Sequence, residues 1–598
     1  MVGVYTRSYS NYRDGCYEDP TLKLTSSYVQ ANGVRVIGTY YLDDPRGTEG
    51  QVLIAPGVRV RGGMVRDLAL IADMSNNIYA FNANPPWNLI WKQPIGNPVI
   101  GTLNLDMWGI NPLWGVLSTG VINLTTNIWN IVSVSSPDGS AANATYQFHS
   151  IGLEDGRAVF QPVTLDDVTY VGPSGSTKRL GDSLRKQRAA LTLVNQNGRT
   201  IVYVPFGSFA ESSAANLGWI VAIDVTQAPK VVYTWATGDR YPGAGIWQAG
   251  AGLSVGDDGT LHCMTGNGGF SPPGDLGESF IKLSPSLKPL QWFSPYSDAG
   301  RAGADPTLPV PPPTKFVPME RELQHRHMVD VNNAMNAMMY ADLSPTSNLH
   351  IVGDQDLGSG GALYLPKSQY PLNQNILMGG GKDGILWITN ADRMGNTMPA
   401  DFAPENISKN YDRLLFPPWG WTFNGMGQNL MPTNLAELPI AYNGYTVHVH
   451  GQPVAYISPD HGLLTFVQGE NGPVRVVQID ADGKPTYIAC GQEIASQGMK
   501  PPGGMPGGML SLAVTAQRAN TAVLWSCMPW YGNANRYVTP GRLVAYAANW
   551  VQDKTYLIKL WDSTNWGISY MHSKFTPPTC QSDKLFVPSY DGRVLIFG

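Results

Sequence analysis

Two histidines separated by a single residue, His448 and His450, are the clearest candidates for metal chemistry in this sequence. Residues two apart on a strand point to the same face, so the pair predicts two imidazoles side by side. A copper or zinc ion held there would need a third ligand from elsewhere in the chain. The alternative is a pair that is packed or faces solvent. A second close pair, His325 and His327, lies in a long irregular stretch.

Other motifs with recognisable chemistry are absent from the 598 residues. The sequence has no GxSxG, HExxH, P-loop or EF-hand pattern, which leaves hydrolase and nucleotide-binding functions poorly supported. The five cysteines are widely spaced, without a CxxC motif or an adjacent pair, which excludes a zinc ribbon and a disulfide-dense scaffold. Their odd number predicts at least one free thiol or an intermolecular disulfide.

Composition narrows the class of protein further. Lys and Arg (40) nearly balance Asp and Glu (45), and no basic block exists, so nucleic acid is an unfavourable partner. Hydrophobic residues make up 43% of the chain, with 17 Trp, which excludes a disordered protein. No run of about 18 apolar residues predicts a membrane span. The polar first 25 residues do not form a signal peptide, so an exported protein would begin after its signal.

Short alternating or β-branched runs, broken by turns about every 8 to 12 residues, predict an all-β protein. One strand recurs in a self-similar unit and is expected to be the third strand of each unit. It begins near Ile78, Gln147, Trp219, Ser279, Ile385, Leu463, Arg542 and Arg593. The spacing exceeds the about 40 to 50 residues of a four-stranded blade, so each unit is one blade with long loops. We predict a single β-propeller of eight blades, with seven as the alternative if one match is false.

The two ends of the repeat predict how the ring closes. The last unit stops at Gly598 without an outer strand, whereas residues 34–42 (VRVIGTYYL) form a strand without a unit. Pairing the two removes two exposed sheet edges. We therefore expect a propeller over residues 34–598 after an N-terminal extension, 1–33. A Pro- and Met-rich insertion at about 297–350 and a loop-rich stretch at about 396–445 are expected to be lids or interfaces.

Five segments then appear in a specific order: VYVPFGSFAES, GIWQAGAGLSVGDDGTLHCMTGNG, GDQDLGSGG, GGGKDGILWITNADR and HGQPVAYISPDHGLL. They resemble segments of the quinoprotein alcohol dehydrogenase-like propellers, and the similarity covers most of the chain. The resemblance implies that Trp247 would stack on pyrroloquinoline quinone and that Lys382 would contact the quinone oxygens. It also implies that Glu211 and Asn267 would ligate Ca²⁺, which prefers carboxylate and amide oxygens.

By the same resemblance, Asp354 or its neighbour Asp356 would be the catalytic base that removes a proton from an alcohol. The chain departs from the family in three respects. No two cysteines are adjacent to cover the quinone, and His450-Gly451 stands where the family has Asn-Trp before Gln-Pro. No evident arginine precedes Glu211 at the cofactor-binding position. The candidate residues also have structural alternatives: a packed indole, solvated loop acids, an exposed hairpin lysine and a left-handed asparagine.

These departures favour a non-catalytic binding or assembly propeller that retains the outline of a quinone pocket. Low charge, Met-rich loops and abundant aromatic residues suit a surface that contacts protein, including a second copy, or a glycan. We expect it to be extracellular, periplasmic or surface-associated. The alternative is a quinone- and calcium-dependent alcohol or sugar dehydrogenase. The enzyme predicts that the candidate residues converge near the axis, whereas the binding protein predicts a filled pocket and an apolar outer patch.

Overall fold

The structure is a computed structural model that describes residues 2–100, 110–183, 185–208, 216–294, 356–382, 386–394, 448–497, 499, 504–515, 521–549 and 556–598, and the backbone of 413–415. Its strands form eight antiparallel four-stranded sheets, which are the blades of a single propeller. The prediction of an all-β, eight-bladed propeller is confirmed.

Each blade is a four-stranded antiparallel meander, consecutive in the chain except that blade four has an inserted hairpin and blade eight takes its outer strand from the N-terminal part of the chain. In the first four blades the strands are Leu53–Arg59, Val65–Ala72, Asn77–Asn82 and Leu89–Pro94; Val121–Asn123, Ile128–Ser135, Thr145–Gly152 and Val163–Thr164; Thr192–Gln196, Arg199–Ser208, Trp219–Asp224 and Lys230–Ala236; Ser254–Val255, Leu261–Met264, Phe280–Leu283 and Pro289–Phe293. In the last four they are Leu363–Leu365, Ile376–Gly380, Leu386–Asn390 and Arg413–Leu415; Val454–Ser458, Gly462–Val467, Arg475–Ile479 and Pro485–Cys490; Met509–Val514, Val523–Pro529, Gly541–Ala547 and Lys559–Asp562; Thr579–Cys580, Leu585–Ser589, Arg593–Phe597 and Val36–Tyr41.

Seven of the eight recurring strands are the third strands of their blades, as predicted. The exception is the strand near Leu463, which lies in Gly462–Val467 and is the second strand of the sixth blade. The sequence PDHG, residues 459–462, leads into this strand and forms the turn between the first and second strands of the blade. A recurring strand in third position would instead be preceded by the turn between the second and third strands. The third strand of this blade is Arg475–Ile479.

The N-terminal strand closes the ring, as predicted. Val36–Tyr41 pairs antiparallel with Arg593–Phe597, with Tyr41 opposite Arg593 and Val36 opposite Phe597. It is the outermost strand of the eighth blade, so the last unit obtains its missing strand from the start of the chain. Just before it lies the only α-helix of the described residues, Ser26–Asn32. Thr25 caps its N-terminus, because the Thr25 side-chain oxygen accepts the Tyr28 N–H.

Residues 4–16 make hydrogen bonds to the first strand of all eight blades. The contacts from blade one to blade eight are Val4 with Ile54, Tyr5 with Ile122, Asn11 with Leu193, Asn11 with Val255, Tyr12 with Tyr364, Asp14 with Ala455, Gly15 with Leu512 and Tyr9 with Cys580. The first strands of a propeller surround its central channel, so this N-terminal segment fills the channel. Sequence analysis assigned no such role to residues 1–33.

The remaining described elements are short. Three two-stranded hairpins pair Val99–Ile100 with Leu113–Trp114, Thr169–Val171 with Thr177–Arg179, and Phe270–Ser271 with Asp275–Leu276. Arg185–Lys186 adds to the second strand of blade three, and Cys16–Glu18 runs parallel to the first strand of blade seven. The 3-10 turns are Ala141–Asn143, Leu180–Asp182, Gln248–Gly250, Leu357–Ser359 and Ser563–Trp566. No helix of the described residues is long and apolar enough to cross a membrane.

Large apolar side chains between the blades form the core, among them Trp219, Trp235, Trp387 and Trp525, each nearly completely buried. All five cysteines are free thiols, and four of them are buried, which agrees with the expectation of at least one free thiol. The predicted insertion at 297–350 lies outside the described residues. So does the stretch 396–445, apart from the backbone of 413–415.

Candidate axial site

Four of the residues predicted from the quinoprotein resemblance come together at one end of the channel. The Asp356 carboxylate accepts the Trp247 indole N–H at 3.2 and 3.1 Å and lies 3.1 Å from the Lys382 ammonium. The backbone N–H of Asp356 donates to the side-chain oxygen of Asn267 at 2.9 Å. We call Trp247, Asn267, Asp356 and Lys382 the axial cluster.

Close packing of loops from neighbouring blades brings the axial cluster together. A side chain at Gly358 would lie 2.5 Å from the backbone nitrogen of Gly266, so only glycine allows the loop after Asp356 to approach the loop that carries Asn267. A side chain at Gly207 would lie 2.5 Å from Cβ of Trp247. The close approach of Trp247 to position 207 is therefore possible only because that residue is a glycine.

Backbone strain is concentrated around Trp247. Gln248, Ala249, Asp356 and Phe575 all have positive φ angles (44°, 46°, 32° and 61°), a region that non-glycine residues seldom adopt. The Phe575 ring meets the Trp247 ring edge-to-face at 5.6 Å. Strained residues persist where the surroundings fix them, and they cluster at ligand-binding and catalytic sites. One of these four residues, Asp356, belongs to the axial cluster, and the other three lie beside it.

Buried cations border the same site. The Arg188 guanidinium lies 4.8 Å over the Phe575 ring and pairs with Glu49 at 2.5 Å, while Lys574 lies 3.8 Å from Glu49. Burial raises the pKa of Glu49, but these two cations outweigh that effect and hold it below its ordinary value. Arg7, from the segment that fills the channel, donates to the Phe575 carbonyl at 2.7 Å.

The electrostatic character of this region is shown by Arg7. Burial lowers its pKa to about 9, and repulsion from Arg13 and Arg188 adds to the effect. Removal from water and two neighbouring guanidiniums therefore both disfavour the charged form of Arg7. An indole face beside such cations can hold a planar ring that carries negative charge.

The predicted histidine pair lies next to the axial cluster. The His450 ring is 5.8 Å from the Trp247 ring and 5.8 Å from the His448 ring. His450 Nε2 lies 2.7 Å from a carboxylate oxygen of Glu470, and His448 Nδ1 lies 3.8 Å from the same oxygen. We call His448, His450 and Glu470 the histidine cluster. The structure therefore brings a carboxylate to the pair, which sequence analysis left without a third ligand.

The remaining predicted site residues have different outcomes. Glu211 and Asp354 lie outside the described residues, as do His325 and His327. Of the two aspartates left open by the sequence, only Asp356 belongs to the described residues, and it lies in the axial cluster. No arginine for the cofactor position was evident in the sequence, yet Arg188, in the loop after Arg185–Lys186, lies over the Phe575 ring beside the site.

The residues of the axial cluster fit a quinone better than they fit calcium. Trp247 and Lys382 are an indole and an ammonium beside each other, as a planar quinone requires. Asn267, the predicted calcium ligand that is described, already accepts the backbone N–H of Asp356 through its amide oxygen. Calcium takes six to eight oxygen ligands, and the described part of the axial cluster supplies only a carboxylate and this amide.

Three residues or segments that matter here were missed by sequence analysis: Glu470, Arg188 and the N-terminal segment. Glu470 had a usable signal. The first two strands of blade six pair Val454 with Phe466, and continuing that register four residues outward sets position 450 opposite 470. Assigning PDHG to the turn between these two strands would therefore have found the carboxylate. We see no comparable signal for the other two.

Comparisons with known proteins agree with the fold. No family model matches the chain, and no curated protein is significantly similar. A solved quinohemoprotein alcohol dehydrogenase from Comamonas testosteroni matches with a TM-score of 0.52 and 11% identity, over 100% of this chain and 80% of that one. The chain has the quinoprotein-type propeller fold. BamB from Moraxella catarrhalis (TM-score 0.40, 10% identity, 94% and 99% coverage) and Sqt1 from Saccharomyces cerevisiae (0.39, 7%, 93% and 97%) are more distant in structure.

Proposed function

We propose that this protein is a non-catalytic binding propeller whose axial cluster, with the cations beside it, binds a small planar anion. The observation that carries the proposal is the set of contacts made by Asp356. Its carboxylate is held by both Trp247 and Lys382, and its backbone N–H by Asn267. A carboxylate beside an ammonium is stabilised in its charged form and is a weaker base for an alcohol proton.

Two further observations support binding at this end of the channel. The four residues with positive φ around Trp247 destabilise the folded chain, and backbone strain of this kind is typical of ligand-binding sites. The N-terminal segment fills the channel and blocks access from the opposite face, so a ligand would reach Trp247 from the axial end itself. The indole offers a stacking face, and Arg188 and Lys574 share the single carboxylate of Glu49, which leaves an excess of positive charge for a carboxylate or phosphate.

Thermal unfolding with planar aromatic mono- and dicarboxylates tests the binding function. A ligand at 100 times its Kd stabilises the folded protein by about 2.7 kcal/mol, so the Tm should rise. We expect Trp247→Ala to abolish the rise. Trp566→Ala removes an indole that is 48% exposed at the outer surface, and it should leave the rise unchanged. No rise with any member of the series, or an equal rise in both variants, would contradict axial binding.

The second candidate is a dehydrogenase that uses pyrroloquinoline quinone, because Trp247, Asp356 and Lys382 do converge as that activity requires. Calorimetric titration of the quinone with and without Ca²⁺, followed by an assay with a dye acceptor, separates the two. Our proposal expects no calcium-dependent heat and no reduction of the dye with alcohols or sugars. Calcium-dependent binding that is lost in Trp247→Ala, together with dye reduction, would establish the enzyme instead.

An assembly role would use a different surface. The outermost strand of blade eight exposes Val36, Ile37 and Tyr41, the last with 72% of its surface accessible. Aliphatic and aromatic side chains on an edge strand are typical of protein contacts. We propose that a second copy or a partner binds along this edge, and we predict export or surface association. Light scattering tests self-association. The unchanged chain should show a mass above that of one chain at high concentration, and the double variant Ile37→Ser with Tyr41→Ser should not. A mass of one chain for the unchanged protein at high concentration would exclude self-association.

A further inference from the structure

The histidine cluster has the composition and the burial of a metal site. One potential ligand atom from each of His448, His450 and Glu470 lies within 4.8 Å of the other two, and all three residues are buried. His450 is completely buried, and its Nδ1 has no hydrogen-bond partner among the described residues. An imidazole buried with an unsatisfied nitrogen costs about 1 to 3 kcal/mol. The observation that points to a metal is the proximity of two imidazoles and one carboxylate in a buried position.

The backbone of blade six holds the three residues in register. The histidines precede the first strand, Val454–Ser458, and Glu470 follows the second, Gly462–Val467, so both segments lie at the same end of one hairpin. The Glu470 N–H donates to the His448 carbonyl at 2.8 Å, which continues the hairpin beyond its strands. The second carboxylate oxygen of Glu470 accepts the Gly504 N–H at 3.1 Å. The carboxylate is thus oriented independently of its contact with the imidazoles.

We propose that His448, His450 and Glu470 bind a divalent first-row transition ion, for which Zn²⁺ is the probe. Two imidazoles and one carboxylate are a ligand set of zinc sites that keep a fourth position for water or another ligand. Imidazole nitrogen suits such ions, whereas Ca²⁺ and Mg²⁺ prefer oxygen alone. The site is therefore distinct in ligand chemistry from the calcium site that the quinoprotein resemblance implied at Glu211 and Asn267.

Small side-chain movements are enough for coordination. Bonds of about 2.0 to 2.1 Å in a tetrahedral arrangement set the ligand atoms about 3.4 Å apart. The observed separations from the Glu470 oxygen, 2.7 Å to His450 and 3.8 Å to His448, lie on either side of that value. Each changes by less than about 1 Å on binding. The two imidazole nitrogens lie within 4.8 Å of each other, so binding also requires the rings to move closer together.

The position of the site connects it to the axial cluster. The His450 ring packs against the Trp247 ring at 5.8 Å and lies 6.4 Å from the Phe575 ring. These aromatic rings shield one side of the histidine cluster from water, which strengthens charge interactions there. An ion bound here would sit beside the indole that the proposed function uses. The metal site nevertheless stands on its own contacts and does not depend on that function.

The test uses the full chain after treatment with a chelator and its removal. We expect calorimetry to show one Zn²⁺ per chain and Co²⁺ to produce the visible absorption of a low-symmetry site. Glu470→Gln has nearly the same shape but lacks the charge, and His450→Gln lacks the imidazole. Each should weaken Zn²⁺ binding by about 100-fold or more, since even residues that only orient metal ligands contribute 10- to 100-fold.

His262→Gln is the matched control, because His262 is an equally buried histidine that stacks on Tyr364 at 4.8 Å, away from the histidine cluster. It should bind Zn²⁺ like the unchanged chain. Circular dichroism confirms that each variant is folded, and the Co²⁺ spectrum of the unchanged chain needs no variant at all. The proposal is overturned if the unchanged chain binds no Zn²⁺ at 100 µM free ion, or if Glu470→Gln binds it with unchanged affinity.

Discussion

Asp356 and Glu470 are two equally buried carboxylates, each with a side chain 2% exposed, that lie on either side of Trp247 and His450. Asp356 faces the ammonium of Lys382 and an indole N–H, whereas Glu470 faces two imidazoles and a backbone N–H. A buried charge needs a partner, and here the partners differ in kind. An ammonium has no lone pair and cannot ligate a metal ion, so among the described residues Asp356 forms an ion pair with Lys382 and no metal site. Imidazoles have lone pairs, so Glu470 sits in a set that can take a metal ion.

A third buried carboxylate, Glu49, supports the same rule. Its partners are Arg188 and Lys574, and the amide of Asn111 donates to it at 3.2 Å. Neither cation carries a lone pair, so Glu49, like Asp356, is neutralised within the protein. The kind of side chain beside the carboxylate, and not the depth of burial, thus makes the difference. Asp356 and Glu49 face Lys or Arg and form ion pairs, whereas Glu470 faces two histidines and is the carboxylate we propose for a metal ion.

The largest effect should come from removing the cation beside Asp356. Lys382→Met removes the ammonium from beside the buried Asp356 carboxylate and should lower the free energy of unfolding by about 3 kcal/mol. Adding Asp356→Asn removes the carboxylate charge and should recover much of the loss. Denaturant titrations of the two single variants and the double variant measure both effects. If Lys382→Met unfolds like the unchanged chain, the ion pair is not what closes the axial cluster.

A smaller effect should come from the indole. Trp247→Phe keeps an aromatic ring but loses the N–H that donates to Asp356, and hydrogen bonds to charged groups contribute about 1.5 to 3 kcal/mol. Because Trp247 is only half-buried, we expect a loss of about 1.5 kcal/mol in the free energy of unfolding. The same substitution made in Asp356→Asn should cost less. Equal costs in both backgrounds would show that the indole stabilises the site by packing alone.

Much of the fold could be predicted from the sequence because it rests on local patterns. Alternating strands, tight turns and the unpaired strand at 34–42 predicted the blades and the closure of the ring. The misassigned strand near Leu463 has a physical cause, since a turn sequence such as PDHG specifies a hairpin but not which hairpin of the blade it joins. That single shift also concealed Glu470, because the register of the first hairpin sets the carboxylate opposite His450.

The axial site was only partly predictable. The order of the motifs associated Trp247, Asn267 and Lys382, which lie together in the structure, but spacing could not choose between Asp354 and Asp356, which lie two residues apart. Arg188 and the N-terminal segment reach the axis through contacts between residues far apart in the chain, such as Asn11 with Leu193. Contacts of that kind leave no periodic signal in either segment, so sequence patterns alone do not reveal them.

A buried histidine whose ring is not in contact with a carboxylate should destabilise the protein as the pH falls, by a smaller amount per pH unit than either substitution above. Burial, the largest cause, and nearby Lys282 together lower the pKa of His262 to about 3, although Asp258 opposes the shift. An unfolded histidine has a pKa of about 6.5, so between pH 6.5 and 3 the unfolded chain binds the extra proton. The stability that depends on neutral His262 is therefore complete above pH 6.5 and is lost as the pH falls towards 3.

His262→Gln should accordingly flatten the decline in the free energy of unfolding below pH 6.5, by at most about 1.4 kcal/mol per pH unit. Denaturant titrations at pH 7, 6 and 5 check this. Because the histidine cluster lies elsewhere, adding Zn²⁺ should stabilise His262→Gln and the unchanged chain equally at pH 7. An unchanged slope would mean that His262 is protonated in the folded protein. It would then be no reference for a neutral buried imidazole, and the contrast with His450 would lose its baseline.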